Sequence, residues 1–204
     1  MNFSLIMIGA HDGSKTESFI RERAALGDVL LVEPVPFLFE RLSKRFAGAA
    51  NITCLNEAIS NVNGEVDFYM PTPDVNDVAS YGDQLGSLIA GHAELHGAGF
   101  GEKIRKVKCK SRTMYTLLAD FDVRAIDVLW TDMEGYDASC LMSFPFYLFR
   151  PNRIFFEAAH ADGMQRIGRR FATLLLLLEE LHYRVKIHDS ANCLAIYSPP
   201  EGKA

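Results

Sequence analysis

The first chemically informative feature of this chain is a glycine loop followed, further along, by a carboxylate. Gly9 and Gly13 come directly after an apolar run that ends at Ile8, and Glu33 ends a second apolar run. Glycines in such a turn let backbone N–H groups and the next helix approach a ligand, and a carboxylate about 20 residues on accepts hydrogen bonds from ribose hydroxyls. Glu33 lies 20 positions after Gly13. The spacing predicts a nucleotide-type ligand at the edge of a parallel sheet.

Side chains suited to acid–base chemistry or hydrogen bonding follow each of five predicted strands. In chain order they are His11 and Asp12, Glu33, Asn56 and Glu57, Asp132 and Glu134, and Glu157 and His160. Because ligands bind beyond the carboxyl ends of parallel strands, we expect these side chains to share one edge of the sheet. A single loop carboxylate is as often a helix cap or a solvated charge as it is part of a site. The occurrence of such side chains after all five strands is therefore what indicates a site.

Two further histidines have a spacing that suits a metal ion. His92 and His96 are four residues apart and would share one face of a helix. No third ligand is evident in the sequence, so we predict no metal site and interpret both histidines as part of a segment that faces the substrate. A divalent ion between Asp132 and Glu157 is a less supported alternative.

The elements that must position these residues alternate between strand and helix. Apolar runs predict strands at residues 3–8, 29–32, 52–55, 66–69, 107–109, 126–131 and 153–156, and helical periodicity predicts helices at 16–26, 36–46, 113–121 and 167–182. Residues 136–149 are predicted to be helical or turn-like, with a break or kink at Pro145. Residues 183–188 and 193–197 are predicted to form a terminal hairpin. This order predicts an α/β fold with a mostly parallel sheet and an antiparallel edge strand.

The periodicity weakens between residues 71 and about 105. This stretch contains both His92 and His96 together with six glycines, which are Gly82, Gly86, Gly91, Gly97, Gly99 and Gly101. Long connections without regular structure inside a compact domain are usually functional loops. We interpret the stretch as an inserted lid rather than a second domain.

Composition narrows the class of protein. With 204 residues, 49% of them hydrophobic, the chain can bury one core, so we expect one domain. A net charge of −5 with both signs interspersed gives no reason to expect a nucleic acid or a membrane as partner. The four cysteines form no C-x-x-C pair, as is typical of a reducing compartment. There is no signal-peptide pattern and no apolar run of membrane-spanning length, so we expect a soluble cytoplasmic protein.

Four motifs in register resemble those of FkbM-type methyltransferases. Residues 8–13 resemble the family's I-G-A-N-x-G, residues 33–36 its E-P-x-P, residues 56–69 its N-x-A-x-S…G-x-x-x-F-Y, and residues 132–137 its D-x-E-G-x-E/D. Order and spacing match over roughly residues 5–160. The resemblance implies a single class I methyltransferase domain over residues 1–204, with the lid at about 71–105. Its fold would be an α/β, Rossmann-like three-layer sandwich whose mostly parallel seven-stranded sheet has an antiparallel last strand.

The resemblance also implies the cofactor, S-adenosyl-L-methionine, and the residues that hold it. The loop of Gly9, Ala10, His11, Asp12 and Gly13 would wrap the methionine part, Glu33 braced by Pro34 would bind the ribose hydroxyls, and Glu57 with Ala58 would border the adenine. Asp132 would lie beside the methyl group that is transferred.

The implied activity is O-methylation of a hydroxyl on a small molecule or sugar. Asp132, Glu157 and His160 are the candidates for the base that takes the acceptor's proton, because a carboxylate or imidazole in that position contributes about 10²–10⁴-fold. Asp132 is thus both a cofactor-binding and a catalytic candidate.

Departures from the family pattern leave alternatives open. The family usually has an acidic residue where this chain has Met7, Asn where it has His11, and a T-L-D segment where it has residues 113–115. Asp12 could compensate in contacting the methionine ammonium. A degenerate member that binds the cofactor without turnover is one alternative. A nicotinamide-dependent oxidoreductase is another, although no Tyr-x-x-x-Lys relay is present.

Overall fold

The computed structural model describes residues 1–162 and 166–199, which contain ten strands and five helices. The strands are β1 (Asn2–Ile8), β2 (Asp28–Val32), β3 (Ile52–Leu55), β4 (Ala58–Ile59), β5 (Gly64–Pro71), β6 (Ile104–Arg112), β7 (Ala125–Thr131), β8 (Arg153–Glu157), β9 (Tyr183–Ile187) and β10 (Asn192–Tyr197). The helices are α1 (Glu17–Ala24), α2 (Pro36–Arg45), α3 (Met114–Asp120), α4 (Asp137–Met142) and α5 (Arg169–Glu180).

Seven strands form the central sheet, in the order β3-β2-β1-β7-β8-β10-β9. Strand β10 is antiparallel to both of its neighbours, and the other pairs are parallel. The predicted mostly parallel sheet with an antiparallel last strand is therefore confirmed. Because the strand order reverses between β1 and β7, the fold places a ligand crevice beyond the carboxyl ends of these two strands.

Strand β1 is apolar from Leu5 to Ile8 because helices cover both faces of the sheet. Its alternate residues Ile6 and Ile8 face a core that includes side chains of α3, α4 and α5. Leu5 and Met7 face the opposite core, which includes side chains of α1 and α2. These two cores make the three layers of the predicted sandwich.

The helices are those predicted, but shorter at their ends. Helix α2 begins at Pro36, whose missing N–H is not needed in a first turn. Helix α4 ends at Met142 instead of continuing to residue 149, since Pro145 cannot extend a helix. Within the described part of the chain, no helix has both the length and the apolar character needed to cross a membrane.

A second, three-stranded sheet with the order β4-β6-β5 was not predicted. Strand β6 pairs antiparallel with the whole of β5, so the predicted strands at 66–69 and 107–109 are only the middle of a longer ladder. One face of this ladder is exposed and charged, with Lys106 and Lys108 paired with Asp67. Its outer residues lacked the apolar periodicity that reveals a strand.

The predicted insertion runs from the end of β5 to the start of β6. It contains short 3-10 turns around a small apolar cluster of its own, formed by Val75, Leu85, Ala93 and Phe100. A single bridge between Tyr69 and Ser87 joins it to β5. The segment is thus partly packed rather than extended through solvent.

Candidate cofactor site and catalytic edge

A cleft of about 940 Å³, including the part that opens to solvent, lies where the strand order reverses. It is lined by all the predicted cofactor residues except Asp12, namely Gly9, Ala10, His11, Gly13, Glu33, Pro34, Glu57, Ala58 and Asp132. Asp12, Glu157 and His160 are not among its lining residues.

Gly9 lets strands β1 and β7 meet at the floor of the cleft. Its φ is +82°, and a Cβ placed on it would lie 1.8 Å from the carbonyl oxygen of Asp132. The N–H groups of Gly9 and Ala10 both donate to the carbonyl of Val32, at 2.9 and 3.0 Å. The close approach that requires glycine is therefore to the end of strand β7, whereas the sequence suggested a close approach to the ligand.

We expect Gly9→Ala to lower the free energy of unfolding by about 3 kcal/mol or more, because it combines a positive φ with a backbone clash. Gly48→Ala is the matched control, since Gly48 has a φ of +85° and a Cβ placed on it would have no atom within 4 Å. That control should cost only about 1 kcal/mol. Denaturant unfolding of both variants measures the difference, and equal costs would contradict the clash.

Glu33 is buried at the end of β2 and accepts two backbone hydrogen bonds. Its Oε2 accepts from the N–H of His11 and its Oε1 from the N–H of Val35, both at 2.8 Å. Burial raises the pKa of this carboxyl to about 7, against the lowering effect of the two N–H donors. Each oxygen retains a second acceptor position. The carboxylate can therefore still accept hydrogen bonds from a ribose.

The loop after β1 is folded by Asp12 and His11. His11 has a φ of +53°, a conformation in which both Asn and His are enriched, so it fits where the family has Asn. The Asp12 carboxylate accepts from the N–H and the hydroxyl of Ser14, at 2.9 and 2.6 Å. Burial raises the pKa of Asp12, but hydrogen bonds, chiefly from Ser14, outweigh it and lower the pKa to about 2. Asp12 is thus placed to fold the loop.

The end of the cleft proposed for adenine has an apolar wall that includes Val35, Leu38 and Phe68. Glu57 lines the same region, but its carboxylate pairs with the guanidinium of Arg112 and the ammonium of Lys110. Glu57 therefore ties the loop after β3 to strand β6. That its remaining acceptor position or a backbone carbonyl meets the exocyclic amine of adenine stays a prediction.

Asp132 follows β7 and its side chain is accessible from the cleft. Although Asp132 is exposed at the cleft, partial desolvation of its carboxyl by the walls of the cleft, together with the charge of Glu157, raises its pKa to about 7, while His160 and Lys15 oppose the shift. Lys15 also lines the cleft and was not predicted. Lys15 could have been found from the sequence as the first basic residue after the glycine loop.

Glu157 and His160 form a pair outside the cleft lining. The Nδ1 atom of His160 lies 2.7 Å from Oε1 of Glu157, and this carboxylate raises the pKa of the imidazole. Of the three predicted base candidates, only Asp132 lines the cleft.

His160 also belongs to a cluster that was missed in the sequence. It lies beside His92, His96 and Glu134, which come from the insertion and from the loop after β7. The third and fourth members are far from the histidine pair in sequence, so spacing gave no signal for them.

The fold and the cleft are those of a class I methyltransferase. The chain matches the model of the methyltransferase FkbM domain over residues 8–185. It therefore belongs to the FkbM methyltransferase domain family, which confirms the resemblance found in the sequence motifs. The cofactor is accordingly S-adenosyl-L-methionine. The sequence matches none of the curated proteins with which it was compared.

Solved structures are similar in fold. Aeropyrum pernix fibrillarin, in complex with natively bound S-adenosyl-L-methionine, is 11% identical with a TM-score of 0.50, over 96% of this chain and 66% of that one. The Methanococcus jannaschii fibrillarin pre-rRNA processing protein is 15% identical with a TM-score of 0.49, over the same shares of the two chains, 96% and 66%. The chain thus spans just under two thirds of the length of either relative.

The residues of the cleft fit this cofactor. The apolar wall suits an adenine ring, and the buried carboxylate of Glu33 has acceptor positions left for the two ribose hydroxyls. Asp132, at the other end of the lining, offers a carboxylate where the methionine part and its methyl group would lie.

Proposed function

We propose that this chain transfers a methyl group from S-adenosylmethionine to a hydroxyl of a small molecule or sugar. The observation that carries the proposal is the Asp132 carboxylate, which is accessible from the cleft at the point where β1 and β7 meet. Its backbone is held rigidly, since its N–H donates to the carbonyl of Ile8 at 2.9 Å. A carboxylate fixed in this way can align an acceptor hydroxyl and take its proton.

Different residues of the cleft hold the cofactor and activate the acceptor. When bound, S-adenosylmethionine supplies a methyl group on a positively charged sulfur, which leaves as a neutral thioether when an oxygen attacks the carbon. Glu33 accepts from the ribose hydroxyls, and the wall that includes Leu38 and Phe68 holds the adenine. Asp132 accepts a hydrogen bond from the acceptor hydroxyl and takes its proton as the new oxygen–carbon bond forms. Glu157 and His160, which do not line the cleft, are the alternative candidates for the base.

Transfer of a labelled methyl group tests the proposal. The protein is incubated with S-adenosylmethionine carrying a labelled methyl and with a panel of sugars and hydroxylated small molecules. Label should enter an acceptor that has a free hydroxyl and fail to enter the same compound with that hydroxyl already methylated. Calorimetric binding of the cofactor with no transfer to any acceptor would instead indicate the degenerate family member, and binding of a nicotinamide dinucleotide would indicate the oxidoreductase.

We further propose that residues 1–204 form one domain in which the segment 72–103 covers the acceptor. Asp83, Gln84, Gly86 and Leu88 line the cleft opposite the sheet, which supports this role. The Oδ1 atom of Asp83 also lies 3.3 Å from Nε2 of His11, so the segment meets the cofactor loop directly.

A lid must open, so we expect residues 72–103 to exchange amide hydrogens faster than β7 in the free protein. Addition of S-adenosylhomocysteine should slow exchange in this segment, because ordering of the cofactor loop extends to Asp83 through His11. Hydrogen-exchange mass spectrometry measures both. Equal protection of the segment and β7 would mean that the apolar cluster of the segment makes it a packed subdomain.

A further inference from the structure

The strongest feature that the proposed function does not use is a cluster of three imidazoles and a carboxylate. His92, His96, His160 and Glu134 each offer one ligand atom, and these four atoms all lie within 4.8 Å of one another. They come from three separate parts of the chain: the insertion, the loop after β7 and the loop after β8. Convergence of this kind requires the folded structure and does not arise from local spacing.

The distances between the donors match those around a tetrahedral metal ion. The Nε2 atom of His92 lies 2.9 Å from Oε2 of Glu134 and 3.3 Å from Nε2 of His96. Ligands about 2.0–2.1 Å from zinc in a tetrahedron lie about 3.4 Å apart. The two observed separations lie close to that value.

Hydrogen bonds alone leave this cluster incompletely satisfied. The Nε2 atom of His92 faces both a carboxylate oxygen and the Nε2 of His96, and it has either one hydrogen or one lone pair to offer. The ring centroids of the three histidines lie 5.0, 5.1 and 5.2 Å apart, so three imidazolium charges would repel one another.

The backbone and the neighbouring groups hold the four donors in place. Glu134 has a φ of +49°, and its carbonyl accepts a hydrogen bond from the Ser87 hydroxyl at 2.8 Å. A Cβ on the next residue, Gly135, would lie 3.3 Å from the carbonyl oxygen of His160, so only a glycine lets these two loops approach without adjustment. The Nδ1 atom of His160 is paired with Glu157 at 2.7 Å, so Nε2 is the nitrogen that His160 offers to a metal, and a carboxylate on the other ring nitrogen is a common partner of metal-binding histidines.

We propose that His92, His96, His160 and Glu134 bind one divalent transition-metal ion, with zinc the best match, and that this ion fastens the insertion to the sheet. Imidazole nitrogen suits zinc and its transition-metal neighbours, whereas magnesium and calcium prefer oxygen ligands. Four protein donors fill a tetrahedral site, as in structural rather than catalytic zinc centres. The assignment needs no particular methyl acceptor and leaves Asp132 as the proposed base, but a metal on His160 would remove that residue from the alternative candidates.

Zinc binding to the whole chain tests this inference. Protein stripped with a chelator and dialysed is titrated calorimetrically with zinc chloride and, separately, with magnesium chloride, and bound metal is counted by elemental analysis. We expect one zinc per chain, a rise in the thermal unfolding temperature with zinc, and neither effect with magnesium. Zinc should also slow hydrogen exchange around residues 92–96, which a nonspecific surface ion would not do.

His96→Ala is the decisive variant because His96 is the half-exposed member of the insertion's pair, so its loss leaves no sealed cavity. Its zinc affinity should fall by about 10²-fold or more, with an unfolding temperature in the absence of metal close to that of the parent. His188→Ala, at an exposed histidine outside the cluster, should keep full zinc binding. Absence of stoichiometric zinc binding, or equal affinity in His96→Ala and the parent, would overturn the proposal.

Discussion

Asp132→Asn lowers the rate of methyl transfer by about 10²-fold or more while leaving the affinity for S-adenosylmethionine within a few fold. Asn has nearly the same shape as Asp but cannot take a proton at neutral pH. The backbone N–H of residue 132, which donates to Ile8, and its carbonyl, which packs on Gly9, are unchanged by the substitution. The cofactor site is therefore preserved, and the loss is confined to activation of the acceptor.

Single-turnover transfer and calorimetry of the cofactor separate these two effects. Asp122→Asn is a suitable control, because Asp122 is an exposed residue whose φ of +43° Asn also tolerates, and it is outside the cleft. It should leave both quantities unchanged. If affinity instead falls in step with turnover in Asp132→Asn, Asp132 holds the ammonium of the cofactor, and the base has to be sought at Glu157 or His160.

Glu33→Ala weakens binding of S-adenosylhomocysteine by one or two charge-assisted hydrogen bonds, each about 1.5–3 kcal/mol. Both oxygens of Glu33 also hold the loop backbone at His11 and Val35, so part of any loss could come from disorder of that loop. A ligand lacking the ribose hydroxyls separates the two causes. Adenosine should lose affinity in the variant, whereas 2′,3′-dideoxyadenosine, already weak, should lose little more.

Calorimetric titration of both nucleosides into the parent and Glu33→Ala measures this coupling. Glu33→Gln serves as a second variant that keeps the size of the side chain if the alanine variant folds poorly. Equal losses for the two nucleosides would remove Glu33 from the ribose site and leave it as a loop-folding residue.

The raised pKa of Glu33 makes nucleoside binding depend on pH. Because this carboxyl titrates at about 7, its ionised form, the better acceptor for ribose hydroxyls, becomes populated as the pH rises from about 6 to about 8. Affinity for adenosine should rise over that interval in the parent and stay flat in Glu33→Gln. A flat profile in the parent would contradict the assignment.

The same pKa shift also sets the direction in which the free energy of unfolding changes with pH. The folded state keeps a proton on Glu33 that the unfolded state, with its ordinary pKa of 4.5, has already released. The contribution of this group to stability is therefore fully present below about pH 4.5 and is lost as the pH rises through about 7. Denaturant unfolding across this interval should show the parent losing free energy of unfolding faster than Glu33→Gln, and parallel profiles would contradict the shift.

The central sheet could be predicted because its signals are local. The apolar runs at residues 5–8 of β1 and 29–32 of β2 arise from burial on both faces, and the closing hairpin has a turn at residues 189–191 between β9 and β10. Strand β6 was harder, since its outward side chains are charged and only residues 107–109 look like a strand. Strand β4, at two residues, is too short to show any period.

The residues of the candidate site also fall into those that could be predicted from local sequence and those that could not. The glycine loop and Glu33 could be found from spacing, because one strand–helix–strand unit fixes both. The partners of Glu57 and His92 could not, since Arg112 is 55 residues from Glu57 and Glu134 is 42 residues from His92. Such pairs exist only once the sheet order is known. Asp12 is the opposite case, because its partner Ser14 is only two residues away and a turn-forming role can be anticipated from local spacing.

The attachment of the insertion has a consequence for how this fold can diversify. Pro71 and Ile104, at its two ends, are register partners on neighbouring antiparallel strands, so the entry and exit of the segment are held side by side. Closing a loop between fixed neighbouring ends costs little extra free energy as the loop lengthens, about 0.6 kcal/mol for each doubling. The segment can therefore be exchanged for shorter or longer ones without disturbing the strands that carry Glu33 and Asp132. With the lid role proposed above, acceptor preference is open to redesign by grafting, provided that the graft keeps the contact of Asp83 with His11 and the hydrogen bond from Ser87 to Glu134.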